Sequence, residues 1–221
     1  MNRIVITSLL SLLCLLGNAQ IDMGIKTNLG LSIFSLENGI INRTTKNRPW
    51  ISGNGGLYLC KHLKKKLNVE ADFQINYIGD KDIFEGEIVD AQGNITGETF
   101  TEKIKRNITY LSLPVSVGYD LDIIVLNFGL QTSVALFSSA KTVSDDPYYG
   151  EVTTKVKNLN IDRLSFGPKI IADIKATEKV SIELAYFYGL NNILKSDVGM
   201  GWSWKIHQVT IGVRYNLKTI R

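Results

Sequence analysis

A chain of 221 residues with 25 Lys and Arg against 21 Asp and Glu carries a formal charge of +4, too slight an excess to argue for a nucleic-acid partner. Its two cysteines, Cys14 and Cys60, fall to one if a leader is removed, so no internal disulfide is available and stability has to come from burial or from membrane embedding. No stretch after residue 20 is apolar for long enough to cross a bilayer as a helix, so entry into a membrane would have to be as a barrel.

Residues 1–19 read as a secretory signal peptide: Arg3, an apolar run from Ile4 to Leu16, then Gly17 and Ala19 framing a cut before Gln20. Leu13 stands where a lipoprotein signal wants a small residue, so Cys14 is not expected to be lipidated. Residues 20–221 form one domain, and losing Arg3 lowers the charge to +3.

Eight segments alternate with a period of two, the spacing of a strand with one apolar face. The first sets Met23, Ile25, Leu29, Leu31 and Ile33 against Asp22, Lys26, Asn28 and Ser32. The second, Trp50 to Leu63, is weak, with Ile51, Leu57 and Leu59 sharing a face with Gly53 and Gly55. The third opposes Leu67, Val69, Phe73, Ile75 and Tyr77 to Asn68, Glu70, Asp72, Gln74 and Asn76. "YLSLPVSVGYDLDIIVLNFGLQTSVALF", residues 110 to 137, supplies the fourth and fifth as a hairpin turned at Asp120-Leu121-Asp122. The sixth runs through Leu164, Phe166, Ile170 and Ile174, the seventh through Ile182, Leu184 and Tyr186, and the eighth through Val209 to Leu217, with a bulge expected near His207. Pro114 and Pro168 each remove a ladder donor and predict bulges or rim positions.

Connections alternate strictly between tight and long, as in outer-membrane barrels with brief periplasmic turns and long external loops. The apolar parity of strands one and three to seven carries no Asp, Glu, Lys or Arg, the exclusion that lipid contact enforces. The expected fold is therefore all-β, an eight-stranded antiparallel up-and-down transmembrane β-barrel.

Such a barrel is only wide enough for side chains to fill it. Lys26, Glu70, Asp72, Arg163, Lys169, Asp173, Glu183 and Arg214 are expected inside as a paired polar network. Tyr77, Tyr110, Tyr188, Trp202 and Trp204 are expected in the loop-side aromatic girdle, and Tyr119 and Tyr215 in the turn-side one.

The residues also resemble a known family. "YLSLPVSVGYDL", "RLSFGPKIIADIKATEKVSIELAYFYGLNNIL" and "HQVTIGVRYNL" are similar to the middle, glycine-containing and final strands of the PorT-like outer-membrane barrels, often labelled "porin family". Those barrels commonly end in an aromatic residue read by the assembly machinery, whereas this chain ends "RYNLKTIR", with Tyr215 in its place. The resemblance implies a small barrel of the Gram-negative outer membrane and carries little about activity.

No catalytic, cofactor or metal site is expected, and no enzyme. His62 and His207 belong to opposite barrel ends, and Cys60 has no catalytic partner. Asp80, Asp82, Glu85, Glu87 and Asp90 offer oxygens of the kind calcium takes, but their spacing misses the EF-hand pattern, so a solvated hairpin turned at Ala91 to Asn94 is expected. The expected role is structural or interactive, as a monomer in contact with outer-membrane lipid and with an envelope or extracellular protein met through the loops. Two alternatives share the alternation: a soluble lipocalin-like carrier with its apolar face inward, and a narrow pore.

Overall fold

The structure, a computed structural model, describes residues 20–37, 45–64, 66–89, 95–146, 150–194 and 203–220. The expected leader, Trp202 and the Ala91 to Asn94 turn lie outside these residues.

Nine antiparallel strands are present among them: β1 (Ile21–Glu37), β2 (Thr45–Lys64), β3 (Leu67–Val89), β4 (Ile95–Asp120), β5 (Ile124–Asp146), β6 (Gly150–Lys157), β7 (Leu164–Lys175), β8 (Val180–Tyr188) and β9 (Ser203–Ile220). Eight close a ring in the order β1-β2-β3-β4-β5-β7-β8-β9, with β9 returning to β1. The ninth, β6, lies outside the ring: it pairs only with the far half of β5, from Ser139↔Lys157 to Asp146↔Gly150. Every residue of β6 is exposed, so the strand has no buried face to impose a period on its sequence.

Parity decides what the ring shows to its surroundings. Leu113, Phe128 and Leu184 are 51%, 62% and 50% exposed, while Glu70, Gln74 and Glu183 on the other parity are fully buried. Oily side chains face away from the axis and polar ones fill the lumen. This removes the lipocalin-like alternative, which needs the reverse. On β3 the outward apolar positions run from Leu67 to Tyr77, about 33 Å along a strand and about 25 Å in height at the usual tilt, the thickness of an outer-membrane apolar band.

The short turns gather at one end. Between β4 and β5, Asp122 adopts φ 73° and its amide donates to Asp120 Oδ1 at 2.8 Å, a local bond that lets an aspartate hold the left-handed conformation. Burial works to raise the Asp120 carboxyl, but the Lys175 ammonium 2.6 Å away and the Asp122 amide together hold it below its ordinary range.

The irregularities fall elsewhere than expected. The β1–β9 register slips at Leu217, between Met23↔Lys218 and Gly24↔Asn216, and runs unbroken past His207. β5 bulges between Ala135 and Phe137, which puts Leu136 and Phe137 both outside. Pro114 causes no bulge: the β3–β4 ladder skips it between Ala71↔Val115 and Gln74↔Ser112 and resumes in the same register. Pro168 causes no bulge either: it lies inside β7, paired with Leu130 in an unbroken β5–β7 ladder, and falls just past the last β7–β8 pair, Lys169↔Phe187, so its missing N–H costs no bond on that side.

Candidate functional site

The lumen is built in layers. Nearest the turns, Asp173 and Glu183 are directly opposite on β7 and β8, and Arg214 is opposite both Lys26 and Ser181. Register thus brings like charges together, and partners across the axis offset them. Lys26 Nζ lies 3.2 Å from Glu70 Oε1, 2.5 Å from Asp72 Oδ2 and 3.0 Å from Glu183 Oε2. Arg214 Nη1 is 2.5 Å from Glu70 Oε2 and 3.3 Å from Asp173 Oδ2, and its guanidinium stacks 3.7 Å above the Tyr58 ring. Room for that ring exists because Gly24 faces it, and a Cβ there would collide with Tyr58. Lys169 is buried in the field of Glu183, Asp72 and Glu70.

Neutral amides complete this layer and form the next. Asn28 Nδ2 donates to Glu183 Oε1 at 2.8 Å and to Asn54 Oδ1 at 3.0 Å, and Asn127 Nδ2 donates to Asp173 Oδ2 at 2.9 Å. Gln74 Nε2 donates to Asp72 Oδ2 at 2.9 Å. Above them Asn76 and Gln208 exchange two amide hydrogen bonds, 3.2 and 2.9 Å long.

Toward the loops the lumen turns apolar. Phe34, Ile78, Ile108, Tyr110, Phe187 and Ile206 project inward from β1, β3, β4, β8 and β9 and meet Ile161 and Ile193 from the segments flanking β7 and β8. The expected polar filling is therefore capped by an oily plug. Over it sits a second ion cluster: Arg106 Nη1 bonds Asp80 Oδ2 at 2.9 Å and also Asp82 Oδ2, with the guanidinium 4.3 Å above the Trp204 ring. Asp80 Oδ1 also accepts from the Phe34 amide at 3.1 Å. Asp80 and Asp82 are buried, contrary to the solvated hairpin expected of them, because β3 and β4 continue in register past the bilayer and keep inward parity there.

At the turn end a cavity of about 330 Å³, lined among others by Tyr58, Cys60, His62 and Asn68, ends against Glu70, Asp173 and Arg214. His62 Nε2 is 2.8 Å from Asp22 Oδ2 at its edge. His207 stands at the other end, 3.0 Å from the Tyr186 hydroxyl and 3.2 Å from Ser35 Oγ. Among the described residues no three His, Cys, Asp or Glu side chains are arranged to hold a metal ion.

Seven of the eight residues expected inside are there: Lys26, Glu70, Asp72, Lys169, Asp173, Glu183 and the partly buried Arg214. Arg163 is not. It precedes β7, is exposed, and contributes only its carbonyl, which accepts from the Ala135 amide at 2.7 Å. The lumen consequently holds four anionic and three cationic side chains from that set.

Of the expected girdle, Tyr77, Tyr119 and Tyr215 are exposed and Tyr188 half-buried, its ring 4.8 Å from that of His207. Tyr110 is wholly buried because it shares parity with inward Ser112. Trp204 also points inward, stacked on Phe34 with centroids 6.1 Å apart, since β9 has no bulge at His207 to reverse it. Trp50 was missed: β2 is irregular between Pro49 and Gly53, and the irregularity lays the indole over Gly79 on the outer face.

Beyond the row Tyr77–Thr109–Phe137, β2 to β6 continue together as a five-stranded protruding sheet.

Among solved structures, the chain is similar to Ail, the attachment invasion locus protein of Yersinia pestis, at 9% identity and a TM-score of 0.41 over 90% of this chain and 99% of that one. It is similar to Neisserial surface protein A at 10% identity and 0.39, over 88% and 97% of the two chains. OprG from Pseudomonas aeruginosa gives 13% and 0.30, over 90% and 95%. These likenesses concern the fold alone, and no curated protein matches in sequence. Residues 18–195, which take in β1 to β8, match the family described as outer membrane protein beta-barrel domain. The chain belongs to that family and is an integral protein of the outer membrane.

Proposed function

We propose that this protein is a non-enzymatic, monomeric outer-membrane barrel of the PorT-like kind whose work is done outside the lumen, by the protruding sheet, as an adhesive or envelope-contacting surface. The observation that carries the reading is the contrast between a lumen filled from the Lys26 cluster to the Phe34–Ile206 plug and a sheet that rises clear of the bilayer. A closed ring leaves no strand edge unpaired within the membrane, which supports the monomer. The resemblance of the middle and final strands to PorT-like barrels supports the narrower placement.

Two measurements test it. Planar-bilayer recordings of the folded protein are expected to be silent, and reproducible conductance steps would restore the narrow pore. Ile83 and Lys103 are paired, so residues 84–102 can be replaced by an Asn-Gly turn without disturbing the barrel. Cells displaying this shortened protein are expected to lose surface adhesion while its heat-modifiable folding persists. Adhesion that survives the shortening moves the role away from the β3–β4 tip of the sheet.

A further inference from the structure

Register places five cations side by side. Arg48 is opposite Lys81, Lys81 opposite Lys105, Lys105 opposite Lys141, and Lys141 opposite Lys155, one from each of β2 to β6. Directly opposed residues share a face, so the five form one row about 19 Å across, four strand spacings wide. Lys103 and Lys157, two positions from Lys105 and Lys155, broaden it on the same face. The β5 bulge is what admits Lys141: without the extra residue, that position would point to the other side.

Like charges directly opposed destabilise a sheet, and a pair of opposite sign is the ordinary remedy. Here it is missing. Among the described residues none of the five has a carboxylate within ion-pair distance. The acids of this face stand nearer the tip: Glu85, Asp145 and Glu151 together two rows on, in register with Thr101, and Glu87 one row farther, in register with Thr99. Charge is thus sorted by height, with cations on the membrane side and anions away from it.

Height identifies the counter-charge. The row lies four residues beyond Tyr77, about 13 Å along the strand and about 10 Å in height, against a headgroup zone of about 6 Å per leaflet and lysine stems that reach several ångströms. Two of the ammonium groups turn back toward the bilayer: Lys81 and Lys105 Nζ lie 5.7 and 4.6 Å from the centre of the Trp50 ring, which is on the membrane side of both. A row made for a soluble polyanion would be better placed at the tip, where the acids are.

We infer that the row Arg48–Lys81–Lys105–Lys141–Lys155 is a binding site for the anionic phosphate groups of outer-leaflet lipid headgroups. The inference does not depend on what the tip of the sheet binds, and the shortened protein described above retains the row.

The test is to fold the full chain into vesicles mixing phosphatidylglycerol with phosphatidylcholine, extract it in mild detergent, and quantify the lipid that stays bound. Each basic residue beside an anionic surface contributes about fivefold in partitioning. The native protein is expected to enrich phosphatidylglycerol, and the Lys105→Gln/Lys141→Gln/Lys155→Gln variant to lose at least about tenfold of that enrichment. Asp145→Asn/Glu151→Gln is expected to keep it. Raising ionic strength on the native protein is expected to erase it, a reading that needs no variant to fold. Equal enrichment by the triple variant overturns the inference. So does salt-sensitive binding of heparin, a soluble polyanion, in micelles with no phosphatidylglycerol enrichment in vesicles.

Discussion

Lys26 and Lys105 are both lysines on long strands of the same ring, and their surroundings are opposite. Lys26 has three carboxylate oxygens within 3.2 Å and no access to solvent, while Lys105 stands between Lys81 and Lys141 on an outer face. In the lumen each charge is removed from water and has to be met by an opposite one, or the strands around it cannot pack. On the protruding sheet solvent and headgroups supply the counter-charge, so sequence is free to sort signs for a purpose other than stability.

The contrast breaks first if the inner lysine can be lost cheaply. Lys26→Met leaves Glu70, Asp72 and Glu183 facing one another, and is expected to lower the stability of the vesicle-folded protein by about 3–5 kcal/mol, read from urea unfolding by tryptophan fluorescence. A loss below about 1 kcal/mol would mean that water reaches the cluster. Arg106→Met strands Asp80 and Asp82 above the apolar plug, nearer solvent, and is expected to cost about 2–3 kcal/mol in the same assay. A loss as large as that of Lys26→Met would place the barrel mouth in an environment as dry as the lumen. Lys141→Gln is expected to shift stability by no more than about 0.5 kcal/mol, upward, because it relieves opposition to Lys105 and Lys155. A clear decrease would show that the row is held by interactions within the protein.

Much of this was legible in the residues. Alternation located the ring strands and told their two faces apart, because lipid on one side and a side-chain-filled axis on the other impose opposite demands on successive positions. Tyr110 is legible too, by its parity with Ser112, which decides its direction where nearness to a strand end does not. β6 could not be read this way, since a strand wet on both faces has no period to detect. Asp80 and Asp82 resembled loop residues by composition, and only the continued β3–β4 ladder buries them. The cationic row depends on the mutual register of five strands, set by bulges near Trp50 and Leu136 that no single segment announces.

The seam where the ring closes has a consequence for biogenesis. β1 and β9 pair from Ile21↔Ile220 to Glu37↔Ser203, so the first strand waits for the last. Contacts of such sequence separation are slow to form, and until they do both terminal strands present bare edges. Closure is therefore a post-synthetic event, and the chain in transit needs a guardian that shields its edges and its oily band alike.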